Sequence, residues 1–169
     1  MLTDRQSRIS LLARTNYSRR SAGQFLSELS PILRRQLTQD SLLPIDASDS
    51  FRDGSLHAYQ HGMSTGENFY RTQQPTQDFD RVESKVAKLC QRIGAEPAIL
   101  LPTHFQPCVR ITVSEVLQRT KSVLEFDRDT LLLSSVDGRC GFMLDWNPDD
   151  VEWTYELAIW GAKWVGERP

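Results

Sequence analysis

The chain is predicted to fold as α+β, with helices packed on one face of a small, mainly antiparallel sheet that ends in a C-terminal β-meander. Three observations predict it. "DFDRVESKVAKLCQRIGAE" (78–96) carries Phe79, Val82, Val86, Leu89, Cys90 and Ile93 as one apolar stripe at helical spacing. "PAILLP" and "CVRITV" are short apolar runs bounded by prolines or turns, which read as strands. The last fifty or so residues alternate large apolar and polar side chains in three runs, "TLLLSSV", "RCGFMLDW" and "VEWTYELAIW", joined by turn-forming residues.

At 169 residues, 39% hydrophobic and 25% charged, the chain has the size and composition of one globular domain, 1–169, with a single substantial core. It divides into a helical part of about residues 1–40, an irregular part at 41–76 and an α+β part at 77–169. No apolar run approaches the roughly 20 residues that cross a bilayer, so no membrane role is expected. The arginines and the acid in "MLTDRQSRISLL" are unlike a secretory leader, and the three scattered cysteines read as reduced, buried thiols. Together these predict a cytoplasmic protein. The net charge of −2 conceals an asymmetry: residues 1–40 hold seven arginines against Asp4, Glu28 and Asp40, whereas residues 123–158 hold nine acids against Arg128 and Arg139. If the two ends lie apart in space, one of them calls for a partner.

Taken in order, Ile9, Leu11 and Leu12, then Phe25, Leu26, Leu29, Ile32, Leu33 and Leu37, predict two helices, the second capped by Ser18 or Ser21 and kinked or split at Pro31. Residues 41–76 show no period among their glycines, prolines and serines, and only short elements are expected there. The third helix starts at Asp78 as N-cap and stops at Gly94 as the residue past its end. After the two short strands, Thr112 and Glu115 form a capping box opening a helix through Val116, Leu117, Thr120 and Leu124. Asp137-Gly138 is a hairpin turn that needs positive φ at both central residues.

The two hairpins imply a register. Leu133 should face Phe142, and Leu131 should face Leu144, around Asp137-Gly138; around Asn147–Asp150, Leu144 should face Trp153 and Phe142 should face Tyr155. That side is all large and apolar, and a one-residue slip would turn every such residue outward, so it is core. The other side collects Leu132, Met143, Asp145, Glu152, Thr154 and Glu156, with Asp149 and Asp150 in the adjoining loop. Asp145 should lie opposite Glu152, an arrangement that costs roughly 0.2–1 kcal/mol and that stability does not explain. An apolar centre of Leu132 and Met143 within an acidic rim has the build of a protein-binding patch. The alternatives are that the acids serve solubility, or that Arg19, Arg20, Arg34 or Arg35 folds over the patch.

Catalytic patterns give less. His57 and His61 have the i, i+4 spacing of two metal ligands, but no glutamate follows His57 as in zinc proteases, and a third ligand, His104 or Asp53, would have to come from elsewhere. No Gly-rich phosphate loop, CxxC pair or nucleophile elbow occurs in the sequence. No metal or cofactor is therefore expected, and a small metal-dependent enzyme built on His57 and His61 is the alternative reading. The arginines of "RRSAGQFLSELSPILRRQ" suggest a nucleic-acid-binding regulator, but they lack interleaved aromatics and helix-turn-helix spacing, and a solvated helix face explains them.

The segment 129–164, "DTLLLSSVDGRCGFMLDWNPDDVEWTYELAIWGAKW", resembles the end of some bacterial immunity proteins of contact-dependent inhibition and other polymorphic toxin systems. The shared features are a strand, a DG turn, a strand ending in Asp and an aromatic, and a final "YEL..WG..W". The resemblance implies a non-catalytic antitoxin that binds one toxin domain, often a nuclease, and it transfers no site residues. The residues themselves nominate Leu132, Met143, Asp145, Asp149, Asp150, Glu152 and Glu156 as the surface that meets a basic partner.

Overall fold

A computed structural model describes residues 4–72, 78–128, 130–147 and 154–166. Along the chain run helix α1 (Asp4–Leu33), helix α2 (Ile45–Thr65), strand β1 (Phe69–Arg71), helix α3 (Phe79–Ile93), strand β2 (Pro97–Leu100) and strand β3 (Val109–Thr112). Helices α4 (Val113–Leu117) and α5 (Thr120–Asp127), strands β4 (Thr130–Ser135), β5 (Gly141–Asn147) and β6 (Thr154–Trp160), and helix α6 (Ala162–Val165) follow. The strands form one antiparallel sheet in the order β1-β6-β5-β4-β2-β3, and the fold is α+β.

Period-two alternation in the strands creates the main core. Leu131, Leu133, Phe142, Leu144 and Leu157 point to the first face of the sheet and are fully buried. Onto them pack Leu26, Leu29 and Leu33 of α1, Val82, Val86 and Leu89 of α3, Val116 of α4, and Val123 and Leu124 of α5. Each such side chain stabilises the fold by about 1.5–3 kcal/mol relative to an exposed one. Asp78 caps α3 by accepting the Asp80 N–H, and Glu115 accepts the Thr112 N–H at the start of α4, both as the sequence predicts.

Several expectations are corrected. The first helical region is one helix, not two; Pro31 lies in its last turn without splitting it, and the helix ends at Leu33, followed by Arg34 with a φ of 52°. Gly94 follows the end of α3 as predicted; it is right-handed, and glycine is needed there because a Cβ would lie 2.4 Å from the Cys90 carbonyl oxygen. The helix opened by Thr112 breaks at Gln118–Arg119 into α4 and α5. In the β4–β5 hairpin only Gly138 has positive φ, 73°, and the Gly138 N–H closes the turn on the Ser135 carbonyl, which places Val136 and Asp137 at its centre.

Two corrections bear on function. The stretch 41–76 contains the 21-residue helix α2 and strand β1 rather than short irregular pieces. Its buried positions are Ile45, Ser48, Ser55 and Gly62, so small residues seven apart form the stripe where apolar ones would have signalled a helix. Helix α2 also lies on the second face of the sheet, so helices cover both faces rather than one. The Ser55 hydroxyl donates to Ser134 Oγ at 3.0 Å, Ser48 Oγ accepts the Cys108 N–H at 3.0 Å, and Tyr59 meets Trp160 edge-on at 5.3 Å.

The register of β4 on β5 is as predicted: Leu133 faces Phe142 and Leu131 faces Leu144. The register of β5 on β6 differs by four residues. Leu144 faces Leu157 instead of Trp153, Phe142 faces Ile159 instead of Tyr155, and Asp145 faces Glu156 instead of Glu152. Because the offset is even, every side chain keeps its predicted face.

Candidate protein-binding surface

Away from the hairpin turn, the second face presents Thr130 and Leu132 of β4, Met143 and Asp145 of β5, and Glu156 of β6, all half-buried. Two carboxylates thus oppose each other across the β5–β6 pair, as expected, although the partner of Asp145 is a different glutamate. Both are held by neighbours. Thr130 Oγ1 donates to Asp145 Oδ1 at 2.7 Å, and Arg71, on the adjacent strand β1, donates to Glu156 Oε1. That ion pair raises the Arg71 pKa above its ordinary value, through the hydrogen bond first and the charge of Glu156 second. With Arg71 49% exposed and Glu156 25%, the pair sits at the water boundary and adds little net stability.

Among the described side chains, the arginine over the patch is Arg71, which the sequence reading missed; the side chain of Arg19 lies outside what the structure describes. Arg35 pairs instead with Glu115, both oxygens lying within 3.1 Å, and Arg20 and Arg34 are exposed. Leu132 is less available than expected, since it packs with Phe51 of α2 against Ile99, Leu101 and Cys108. Asp149, Asp150 and Glu152 lie outside the described residues. Of the predicted surface, then, Met143, Asp145 and Glu156 come together, with Leu132 drawn beneath α2.

The alternative chemistry finds no support in the geometry. His57 and His61 are both exposed on α2, and among the described residues no three of His, Cys, Asp or Glu converge on a point that would hold a metal ion. Burial pushes the thiols of Cys90, Cys108 and Cys140 upward, away from the thiolate form a nucleophile needs. An open hollow of about 510 Å³ between α3 and α4 is lined by Cys90, Gln91, Ser114 and Gln118, with Glu83 its one acid. Asp127 is buried, but its carboxylate is used on the backbone of the β2–β3 loop, accepting the Thr103 N–H at 2.8 and 3.0 Å. No helix among the described residues is long and apolar enough to cross a membrane.

Comparison with protein-family models, with curated proteins and with solved structures returns no match to this chain.

Proposed function

We propose that the chain is a non-catalytic binding protein that seats a basic protein domain against the second face of its sheet, as a bacterial immunity protein seats its cognate toxin. The observation that carries this reading is the direct opposition of Asp145 and Glu156 on neighbouring strands. Like charges placed so cost stability; Arg71 balances one of the two carboxylates, and a cationic partner surface would balance the other. The distribution of charge around the sheet supports it. On the side of α2, residues 45–71 carry Asp46, Asp49, Asp53 and Glu67 against Arg52 and Arg71, and Asp145 and Glu156 add to them. The arginine-rich α1 packs on the opposite face. Such a separation raises the capture rate of a basic domain and orients it before contact.

The inhibitor would act by occupation: a nuclease toxin needs a basic cleft for phosphates, and an acidic face placed in that cleft excludes the substrate. The test begins with the gene immediately upstream: where it encodes a large secreted protein, the C-terminal domain of that protein is expressed and its association with this chain is measured. Replacing Asp145→Asn and Glu156→Gln removes the charges while keeping side-chain shape and the Thr130 contact. Association should slow by about tenfold and lose most of its dependence on ionic strength. Unchanged association kinetics in the double variant would remove this surface from the reading.

A further inference from the structure

Resting on that reading of the acidic face, we infer that the flank of α2 formed by Leu56, Tyr59 and Met63 continues the same docking surface, and that it receives an amphipathic basic segment of a protein partner. Arg52, Leu56, Tyr59 and Met63 follow one another at intervals of four, three and four residues, which places them on one flank of the helix. Two of them fix where that flank points. Arg52 donates to the carbonyls of Pro102 at 2.7 Å and Phe105 at 2.9 Å, so it reaches over the loop at the end of the sheet away from the hairpin turn. Tyr59 packs against Phe69 at 5.7 Å and Trp160 at 5.3 Å, and Arg71 stands two residues from Phe69 on the same face of β1. Arg71 in turn holds Glu156, which faces Asp145. The flank therefore borders the acidic row.

Leu56 is 54% exposed and Met63 47%, while Tyr59 between them is half-buried. Large apolar side chains this open are few among the described residues, and here two of them stand on one flank one heptad apart. Seven helical residues span about 10 Å, which matches two apolar side chains two turns apart on a partner segment. The surrounding charge selects the rest of that segment. Asp46, Asp53 and Glu67 are exposed on α2 and just beyond it, and Asp145 and Glu156 lie beyond Tyr59. Lysine or arginine beside the apolar residues is favoured, whereas nucleic acid and anionic lipid would be repelled.

The test is binding of the full chain to two synthetic peptides of about 14 residues, four helical turns, at about 0.15 M salt. One has leucine at helical spacing among lysines, and the other has serine in place of leucine at the same charge. The leucine peptide should bind, and Leu56→Gln with Met63→Gln should weaken it about tenfold or more, with the weaker serine peptide unaffected by that change. Circular dichroism and melting confirm that the variants are folded. Failure of the leucine peptide to bind overturns the inference, as does equal binding to the wild-type chain and the Leu56/Met63 variant. So does a dimer that dissociates in that variant, since the occupant is then a second copy, or preferential binding to phosphatidylglycerol vesicles. Loss of peptide binding in Asp145→Asn with Glu156→Gln but not in the Leu56/Met63 variant removes the flank and leaves the acidic face. Persistence of binding in the charge-neutral variant overturns both.

Discussion

Asp127 shows what a single buried carboxylate does in this fold. At the end of α5 it accepts the Thr103 N–H, while on the other side of the same loop the Arg52 guanidinium takes the carbonyls of Pro102, Phe105 and Gln106. The loop between β2 and β3 is thus held by an anion at its amides and a cation at its carbonyls, and Phe105 is stacked on Phe25 at 3.8 Å. Burial pushes the Asp127 carboxyl above its ordinary value of 3.8, outweighing the hydrogen bonds from Thr103 and His104 that pull it down. The sign follows from linkage. The folded state holds the proton more tightly than the unfolded one, so this group's contribution is fully present below its unfolded pKa and is lost as pH rises through the folded pKa. Denaturant unfolding of the wild type and of Asp127→Asn should therefore show the wild type losing ground to the variant as pH rises from about 3.8, then a constant difference. A difference that grows in the opposite direction would mean that the loop amides, and not burial, set this pKa. Nothing in "EFDRD" marks Asp127 in the sequence, because its importance comes from a loop more than twenty residues away in the chain.

At the scale of elements, legibility tracks the kind of residue that is buried. Helix α3 and the β4–β5 pair bury large apolar side chains, so their periods of 3.6 and 2 were readable. Helix α2 buries Ser48, Ser55 and Gly62, and its closeness to the sheet depends on their smallness: a Cβ on Gly62 would stand 3.0 Å from the Phe69 ring. A pattern of polar and missing side chains looks like a loop. The offset between β5 and β6 was hidden for another reason. Val151, Trp153, Tyr155, Leu157 and Ile159 repeat every second residue, so alternation determines which side is buried but not which residue is opposite. Hence the acids of the candidate surface were legible, while the cover of α2 over Leu132 and the pairing of Arg71 with Glu156 were not. The same weakness in apolar anchoring makes a prediction for α2. Its amides from Ser55 to His61 should exchange with solvent about tenfold faster than those of Leu131, Leu133 and Leu144, as measured by native-state hydrogen exchange. Equal protection would show that α2 opens only with the whole domain.

Across the whole molecule, the α2 side of the sheet carries a surplus of acids, the helices on the other face carry both signs, and the ion pairs do little to hold the fold together. The ion pairs Arg35–Glu115, Arg71–Glu156, Arg81–Asp78 and Lys163–Glu96 each have a basic side chain at least 40% exposed. Stability should therefore respond weakly to salt: the melting temperature should move by less than about 3 °C between about 0.05 and about 0.5 M NaCl. A shift of more than about 5 °C would mean that ion pairs across the molecule, rather than its apolar core, dominate. Partner association, by contrast, should be strongly salt-sensitive, and this contrast separates charge that serves recognition from charge that serves folding.

The shared alternation of β5 and β6 also bears on how the chain can diverge. Six residues separate Asn147 from Thr154, and inward and outward positions keep their identities whenever the strands slide by two. A slide of β6 by two residues would bring a different outward residue opposite Asp145 while the interior stays intact. A slide by one residue would exchange inside for outside along the whole of β6 unless a bulge absorbed it.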